Sequence, residues 1–174
     1  MPIDFSNLAY LKSGTPRQQL AYWELTDLGI MEALVEYHPL LAGTIPLGID
    51  LPDSDLDVIC ECYDHPRFAE SLQEAFGSYP DFEWYTCTIR SRTNTIARFQ
   101  GQHFQIELFG QATPSHRQFA YRHMLAEHRI LAQQGPEFAQ QVIALKATGM
   151  KTEPAFAQLL GLEGDPYEAL LHYA

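Results

Sequence analysis

The sequence predicts a mixed α/β protein that ends in a helical region. Two observations carry that prediction. Short apolar runs with strand-like alternation crowd between Leu40 and Phe109. Helical spacing then takes over, with Pro-marked helix starts recurring at Thr113-Pro114, Gly135-Pro136, Glu153-Pro154 and Asp165-Pro166.

The elements follow in order. Thr15-Pro16 reads as a helix start, and Leu20, Trp23 and Glu24 continue it. Thr26-Asp27 is expected to open a second helix with Ile30, Met31, Leu34 and Val35 at helical spacing, closed by Pro39. Leu40 to Ala42 begins the first strand. Pro46, Gly48 and Pro52 make the next stretch a loop. The second strand is expected over Asp55 to Glu61. Phe68, Ala69, Leu72, Ala75 and Phe76 form one face of a helix that Gly77 stops. Three strands should follow, over Phe82–Ile89, Thr93–Phe99 and His103–Phe109, the last two as a hairpin around Gly101. The tail carries Phe119, Met124, Leu125 and Leu131, then Phe138, Val142, Ile143 and Leu145, then shorter apolar sets. These readings divide the chain into residues 1–112, a core with N-terminal helices, and residues 113–174, a helical region packed on it.

Composition narrows the function classes. A chain of 174 residues, 46% apolar and 19% charged, is long enough to bury a core and too apolar to be disordered. The net charge of −11 argues against a general nucleic-acid binder, which needs a basic stripe. No long apolar run and no basic-then-apolar leader is present, so neither membrane span nor secretory signal is expected. The odd set Cys60, Cys62 and Cys87 cannot complete a disulfide framework. Cys60 and Cys62 read as small core residues, and a reducing cytoplasm fits.

Chemistry enters at Leu41-Ala42-Gly43-Thr44 and Asp53-Ser54-Asp55-Leu56-Asp57-Val58-Ile59-Cys60. On a strand, residues two apart share a face, so Asp55 and Asp57 converge while Leu56, Val58 and Cys60 turn the other way. Two such carboxylates can hold a divalent cation, as phosphoryl and nucleotidyl transfer require. The plain alternative is a polar turn before a strand. Farther on, Phe104, Ile106 and Leu108 share one face and Gln105 and Glu107 the other. Glu107 is therefore an acid between core residues, either solvated or facing the Asp55 strand.

Together, Gly43-Thr44, Asp55-Leu56-Asp57 and Ile106-Glu107-Leu108 resemble the pattern of the nucleotidyltransferase superfamily with the DNA polymerase β-like fold. Several longer stretches, from Leu41-Ala-Gly-Thr-Ile-Pro to Lys151-Thr-Glu-Pro-Ala-Phe-Ala, resemble more narrowly a bacterial family, domain of unknown function 4269. The resemblance implies a nucleotidyltransferase-like mixed sheet flanked by helices. It implies that Asp55, Asp57 and Glu107 hold Mg²⁺, or Mn²⁺ in its place, and with it the phosphates of a nucleoside triphosphate. Glu107 would also help to deprotonate an acceptor hydroxyl on a small molecule or a protein. Gly43 and Thr44 would let backbone N–H groups and a hydroxyl approach phosphate. The chain departs from the pattern at Ile45-Pro46-Leu47-Gly48-Ile49, where many members carry a short helix with an Arg.

A phosphate would then need a cation from elsewhere. Lys151, in a loop before a helix start, is the first choice and Arg122 the second; Arg90, Arg92 and Arg98 lie in the strand region. His123 and Glu127 are spaced as metal ligands can be, yet zinc needs three or four convergent ligands, so an exposed pair or a cap contact is expected. Phe82-Glu83-Trp84-Tyr85 could line a base pocket or pack in the core. Besides a transferase, a non-catalytic nucleotide- or partner-binding module and a metal-dependent phosphohydrolase remain compatible with the pattern.

Overall fold

The computed structural model describes residues 3–173. Helix α1 (Pro16–Asp27) is opened by Thr15 as expected: its hydroxyl accepts the Gln18 N–H at 3.2 Å, and Gln18 Oε1 accepts the Thr15 N–H at 2.9 Å. Gln18 is buried, and its Nε2 donates to the carbonyls of Ile45 (2.9 Å) and Pro46 (3.0 Å). Thr26 and Asp27 do not open the next helix; they end α1. Gly29, left-handed at φ 63°, breaks the chain there, and α2 (Ile30–Ala33) is a single turn.

The five strands are β1 (Leu40–Ala42), β2 (Leu56–Glu61), β3 (Glu83–Ile89), β4 (Arg92–Gln100) and β5 (Gln105–Gln111). They form one sheet in the order β1-β2-β5-β4-β3. Only β2 and β5 run parallel, and they lie at its centre. The β4–β5 hairpin around Gly101 forms as expected, closed by Gly101 N–H on the Phe104 carbonyl at 2.9 Å. A second hairpin joins β3 to β4 through Arg90 and Ser91, both left-handed at φ 50° and 62°. A two-residue turn of this hand normally takes Asn-Gly, and Arg90-Ser91 carries neither residue.

The sheet buries its faces unequally. Leu56, Val58, Cys60, Ile106 and Leu108 pack with α1 and with α3 (His65–Phe76) into the main core. Phe68 and Phe76 of α3 are fully buried there, each worth about 1.5–3 kcal/mol. Cys60 and Cys62 are buried free thiols, and Cys87 is a half-buried one. The opposite face carries Asp57, Ile59, Glu107 and Phe109. It is only partly covered, by α4 (Phe119–Gln134), through a small cluster of Phe5, Ala42, Ile59, Tyr121 and Met124.

Helix α4 starts later than Thr113-Pro114, which lead instead into a 3-10 turn over Ser115–Arg117. The buried Gln118 amide donates to the carbonyls of Cys60 (2.8 Å) and Thr113 (3.0 Å), tying the start of α4 to the end of β2. Helices α5 (Pro136–Ala147), α6 (Thr152–Leu160) and α7 (Pro166–Tyr173) complete a second core of Ile130, Phe138, Val142, Phe156 and Leu170, which also takes Ile49 from the loop after β1. Among the described residues, no helix is long and apolar enough to cross a membrane.

Gly110 decides how closely α3 sits on the central strands. A Cβ there would collide with the Phe68 ring. Gly110→Ala should therefore destabilise the protein by about 1–3 kcal/mol through overpacking. Urea unfolding checks this; an unchanged midpoint would mean that Phe68 yields freely.

Candidate active site

A cavity of about 450 Å³ opens between the partly covered sheet face and the C-terminal helices. Its floor is Asp57, Ile59, Glu107 and Phe109 on the two parallel strands. Gly43 and Thr44, at the end of β1, form one edge, and Arg90 and Arg92, at the β3–β4 turn, form another. The roof comes from α4, α6 and α7. This volume suits a small molecule or a nucleotide more than a folded polymer.

The register pairs Asp57 directly with Glu107 across β2 and β5. Both side chains leave the same face of the sheet, so two acids are crowded by backbone geometry alone. Burial, then the charges of Asp55 and Glu107, push the Asp57 carboxyl up from 3.8 to about 8, and Arg98 opposes them. Gly43, at φ 82°, crosses over this carboxylate so closely that a Cβ would strike Asp57 Oδ2. Glycine is required there twice, for its backbone angle and for space.

Glu107 has a partner that sequence reasoning did not assign. Arg98, directly opposite on β4, donates from Nε to Oε2 at 2.8 Å, and its Nη2 lies 2.7 Å from the same oxygen. The bonds hold the Arg98 guanidinium firmly protonated. Asp55 stands one residue before β2, not within it, and does not line the cavity. Its charge is felt by Asp57 and by Arg98 all the same. The loop that delivers Asp55 is pinned by Arg17, whose Nη2 donates to the carbonyls of Pro52 (2.8 Å) and Ser54 (3.1 Å) while Nε lies 2.7 Å from Asp50 Oδ2.

The donors suit a hard divalent cation. They are all oxygens, and a crowded Asp57 gains from a positive charge beside it. Among the described residues, no three His, Cys, Asp or Glu side chains converge as a ready cage. Mg²⁺ rarely uses one; it takes one or two carboxylates and fills its shell with water and substrate phosphate.

The structure separates the candidate cations. Lys151 is an exposed residue at the start of α6, and Arg122 is exposed against the Phe119 ring, 5.6 Å from its centre; neither lines the cavity. Arg90 and Arg92 line it instead. Arg90 lies 4.8 Å from the Phe119 ring centre and 5.6 Å from that of Tyr167, and Arg92 Nη1 donates to Thr113 Oγ1 at 2.5 Å. Their position depends on the unheralded β3–β4 turn, which hid them among strand residues. Two further expectations are corrected. His123 and Glu127 are not an exposed pair: both are buried, on the cavity wall. Trp84 and Tyr85 do not line the cavity and stand exposed on the edge strand β3, so the cavity takes its rings from Phe109, Phe119 and Tyr167.

Solved structures with the same architecture define the class. A Cid1 poly(U) polymerase bound to MgGTP matches with a TM-score of 0.55 and 14% identity, over 76% of this chain and 42% of that one. Cid1 with the UTP analogue UMPNPP gives 0.53 and 15%, over 76% and 40%. The GLD-2/RNP-8 complex gives 0.53 and 10%, over 81% and 55%. The fold is thus nucleotidyltransferase-like, and the chain spans roughly half or less of the length of these neighbours. Residues 23–173 match the family Domain of unknown function (DUF4269), and the chain belongs to that family. No curated protein matches it in sequence.

The raised Asp57 carboxyl has a consequence for stability. The folded protein keeps this proton up to about pH 8, whereas an unfolded chain releases it near 3.8. Its contribution is therefore full below pH 3.8 and lost as pH rises towards 8. In metal-free buffer, the melting temperature of the wild type should fall relative to that of Asp57→Asn across this window. Parallel pH profiles would show that Asp57 is not crowded.

Proposed function

We propose that the protein transfers a nucleotidyl group from a nucleoside triphosphate to a hydroxyl acceptor, with Mg²⁺ as cofactor and Mn²⁺ able to replace it. One observation carries this reading: Asp57 and Glu107 stand side by side on adjacent parallel strands, under Gly43, at the floor of a cavity of small-molecule size. The nucleotidyltransferase-like fold and the MgGTP and UTP-analogue complexes of its neighbours support it.

Each residue then has a task. Asp57 and Asp55 hold the cation, and Glu107 faces the acceptor. The cation, when bound, neutralises charge on the phosphate oxygens. Gly43 leaves room for the phosphate chain, and Thr44 offers it a hydroxyl. Arg90 and Arg92 take the place of the missing Arg after Thr44 and meet the phosphates from the opposite edge. In the reaction the acceptor oxygen bonds to the α-phosphorus, the bond from that phosphorus to the bridging oxygen breaks, and pyrophosphate leaves. The acceptor proton passes towards Glu107 Oε1, the oxygen that Arg98 does not use. Residues 1–112 supply the nucleotide side and residues 113–174 the acceptor side. The net charge of −11 favours a small-molecule or protein acceptor over nucleic acid, and a cytoplasmic setting suits a triphosphate donor. A non-catalytic nucleotide-binding module is the second reading, favoured by the Arg98 pair that already neutralises Glu107.

Calorimetric titration of each nucleoside triphosphate, with Mg²⁺ and with chelator, tests the proposal. Asp57→Asn should abolish the metal-dependent binding in a folded protein. Arg90→Ala and Arg92→Ala should each weaken it about tenfold, the cost of one lost bond to a charged group, while Lys151→Ala leaves it unchanged. Unaltered affinity in folded Asp57→Asn would remove the assigned role.

A further inference from the structure

The cavity has two chemically different halves. The cations Arg90 and Arg92 stand at the sheet edge. The helical wall opposite them is acidic and is built with care. Phe119, His123 and Glu127 fall four residues apart on α4, so one helix face looks into the cavity, and Glu153 of α6 joins them.

Glu127 is the informative residue. It is 4% exposed, lines the cavity, and among the described residues makes no hydrogen bond or ion pair. A buried carboxylate without a partner is costly and is not kept for packing. The nearby cation, Lys146, donates from Nζ to the Ile49 carbonyl at 2.6 Å and acts on Glu127 through its charge, without forming an ion pair with it. Glu153 adds a second negative charge to Glu127. Burial, then Glu153, hold the Glu127 carboxyl well above its ordinary range, and the charge of Lys146 opposes them only in part.

The wall is also preorganised. His123 Nε2 donates to the Tyr167 carbonyl at 2.9 Å, which fixes the ring. Nδ1 then faces Glu153 Oε1 at 3.4 Å. Among the described residues, Glu153 thus meets one protein group, which pairs with it only when the imidazole is protonated, and Glu127 meets none. A ligand bearing positive charge would satisfy both.

We infer that Glu127 and Glu153 form the acceptor subsite and that the acceptor is a small hydroxylated amine. Its ammonium groups pair with these carboxylates, and its hydroxyl points across the cavity to Asp57 and Glu107. The inference rests on the proposed nucleotidyl transfer and supplies its acceptor class. It also explains selectivity between nucleophiles. An ammonium paired with carboxylate has no free electron pair, so the uncharged hydroxyl is the group that attacks the α-phosphorus. Its proton goes to Glu107 and pyrophosphate leaves with the electrons of the broken bond. An inorganic cation could meet the same two acids, and chelator-treated protein distinguishes that source.

The test compares 2-deoxystreptamine, a hydroxylated ring with two amines, with myo-inositol, a similar ring with none. Both are titrated calorimetrically into the chelator-treated full chain. The amine should bind at least tenfold more tightly, and Glu127→Gln, shown to be folded by its circular dichroism, should remove that preference. Equal binding of the two rings by wild-type protein overturns the inference without recourse to any variant, as does an amine preference that survives in folded Glu127→Gln. Nucleotide titration of the same samples separates this from the parent reading. Asp57-dependent nucleotide binding without an amine preference leaves the transferase reading standing and sinks only the acceptor. Amine binding without nucleotide binding sinks both, because an acceptor needs a donor.

Discussion

The site depends on two acids that backbone geometry forces together. Parallel pairing of β2 with β5 sets Asp57 opposite Glu107 at the spacing of neighbouring strands, and Gly43 closes the space above Asp57. The sheet could not tolerate that crowding without relief. Arg98 relieves Glu107 from the adjacent strand, while burial and the neighbouring acids raise the Asp57 carboxyl. Much of the surrounding structure serves this arrangement. Gly110 lets α3 clamp the central strands, Gln18 fixes the turn after Thr44, and Arg17 holds the loop that presents Asp55.

The helical region gives the acids a cavity to act in. Gln118 ties α4 to the end of β2, and the small cluster around Met124 holds that helix over half of the sheet face, leaving the rest open. Cations then gather at the β3–β4 turn and carboxylates on α4 and α6. A cavity with opposite charges on opposite walls suits two ligands of opposite charge better than one.

The strands that carry the acids were legible because their alternation is clean. Leu56, Val58 and Cys60 against Asp57, and Phe104, Ile106 and Leu108 against Glu107, assign faces without ambiguity, and the buried sets are those residues. The fold could also be read from Gly43-Thr44 and the three acids, and the family from longer stretches such as Lys151-Thr-Glu-Pro-Ala-Phe-Ala. Other features could not. Arg90-Ser91 lacks the Gly or Asn that announces a two-residue turn, so the cations it positions looked like strand residues. Thr26-Asp27 resembled a helix start, but Gly29 set the break. His123 and Glu127 looked amphipathic and exposed, because only tertiary packing of α7 on α4 reveals that they are buried. Arg98 needed the strand order before its partner could be known.

The central claim is that the Asp57–Glu107 pair forms a metal–nucleotide site, and water-proton relaxation with Mn²⁺–ATP tests it most directly. Protein added to Mn²⁺–ATP should enhance the relaxation rate, because the complex tumbles with the protein once bound, and folded Asp57→Asn should give no enhancement. A rate equal to that of Mn²⁺–ATP alone in the presence of wild-type protein would contradict the account.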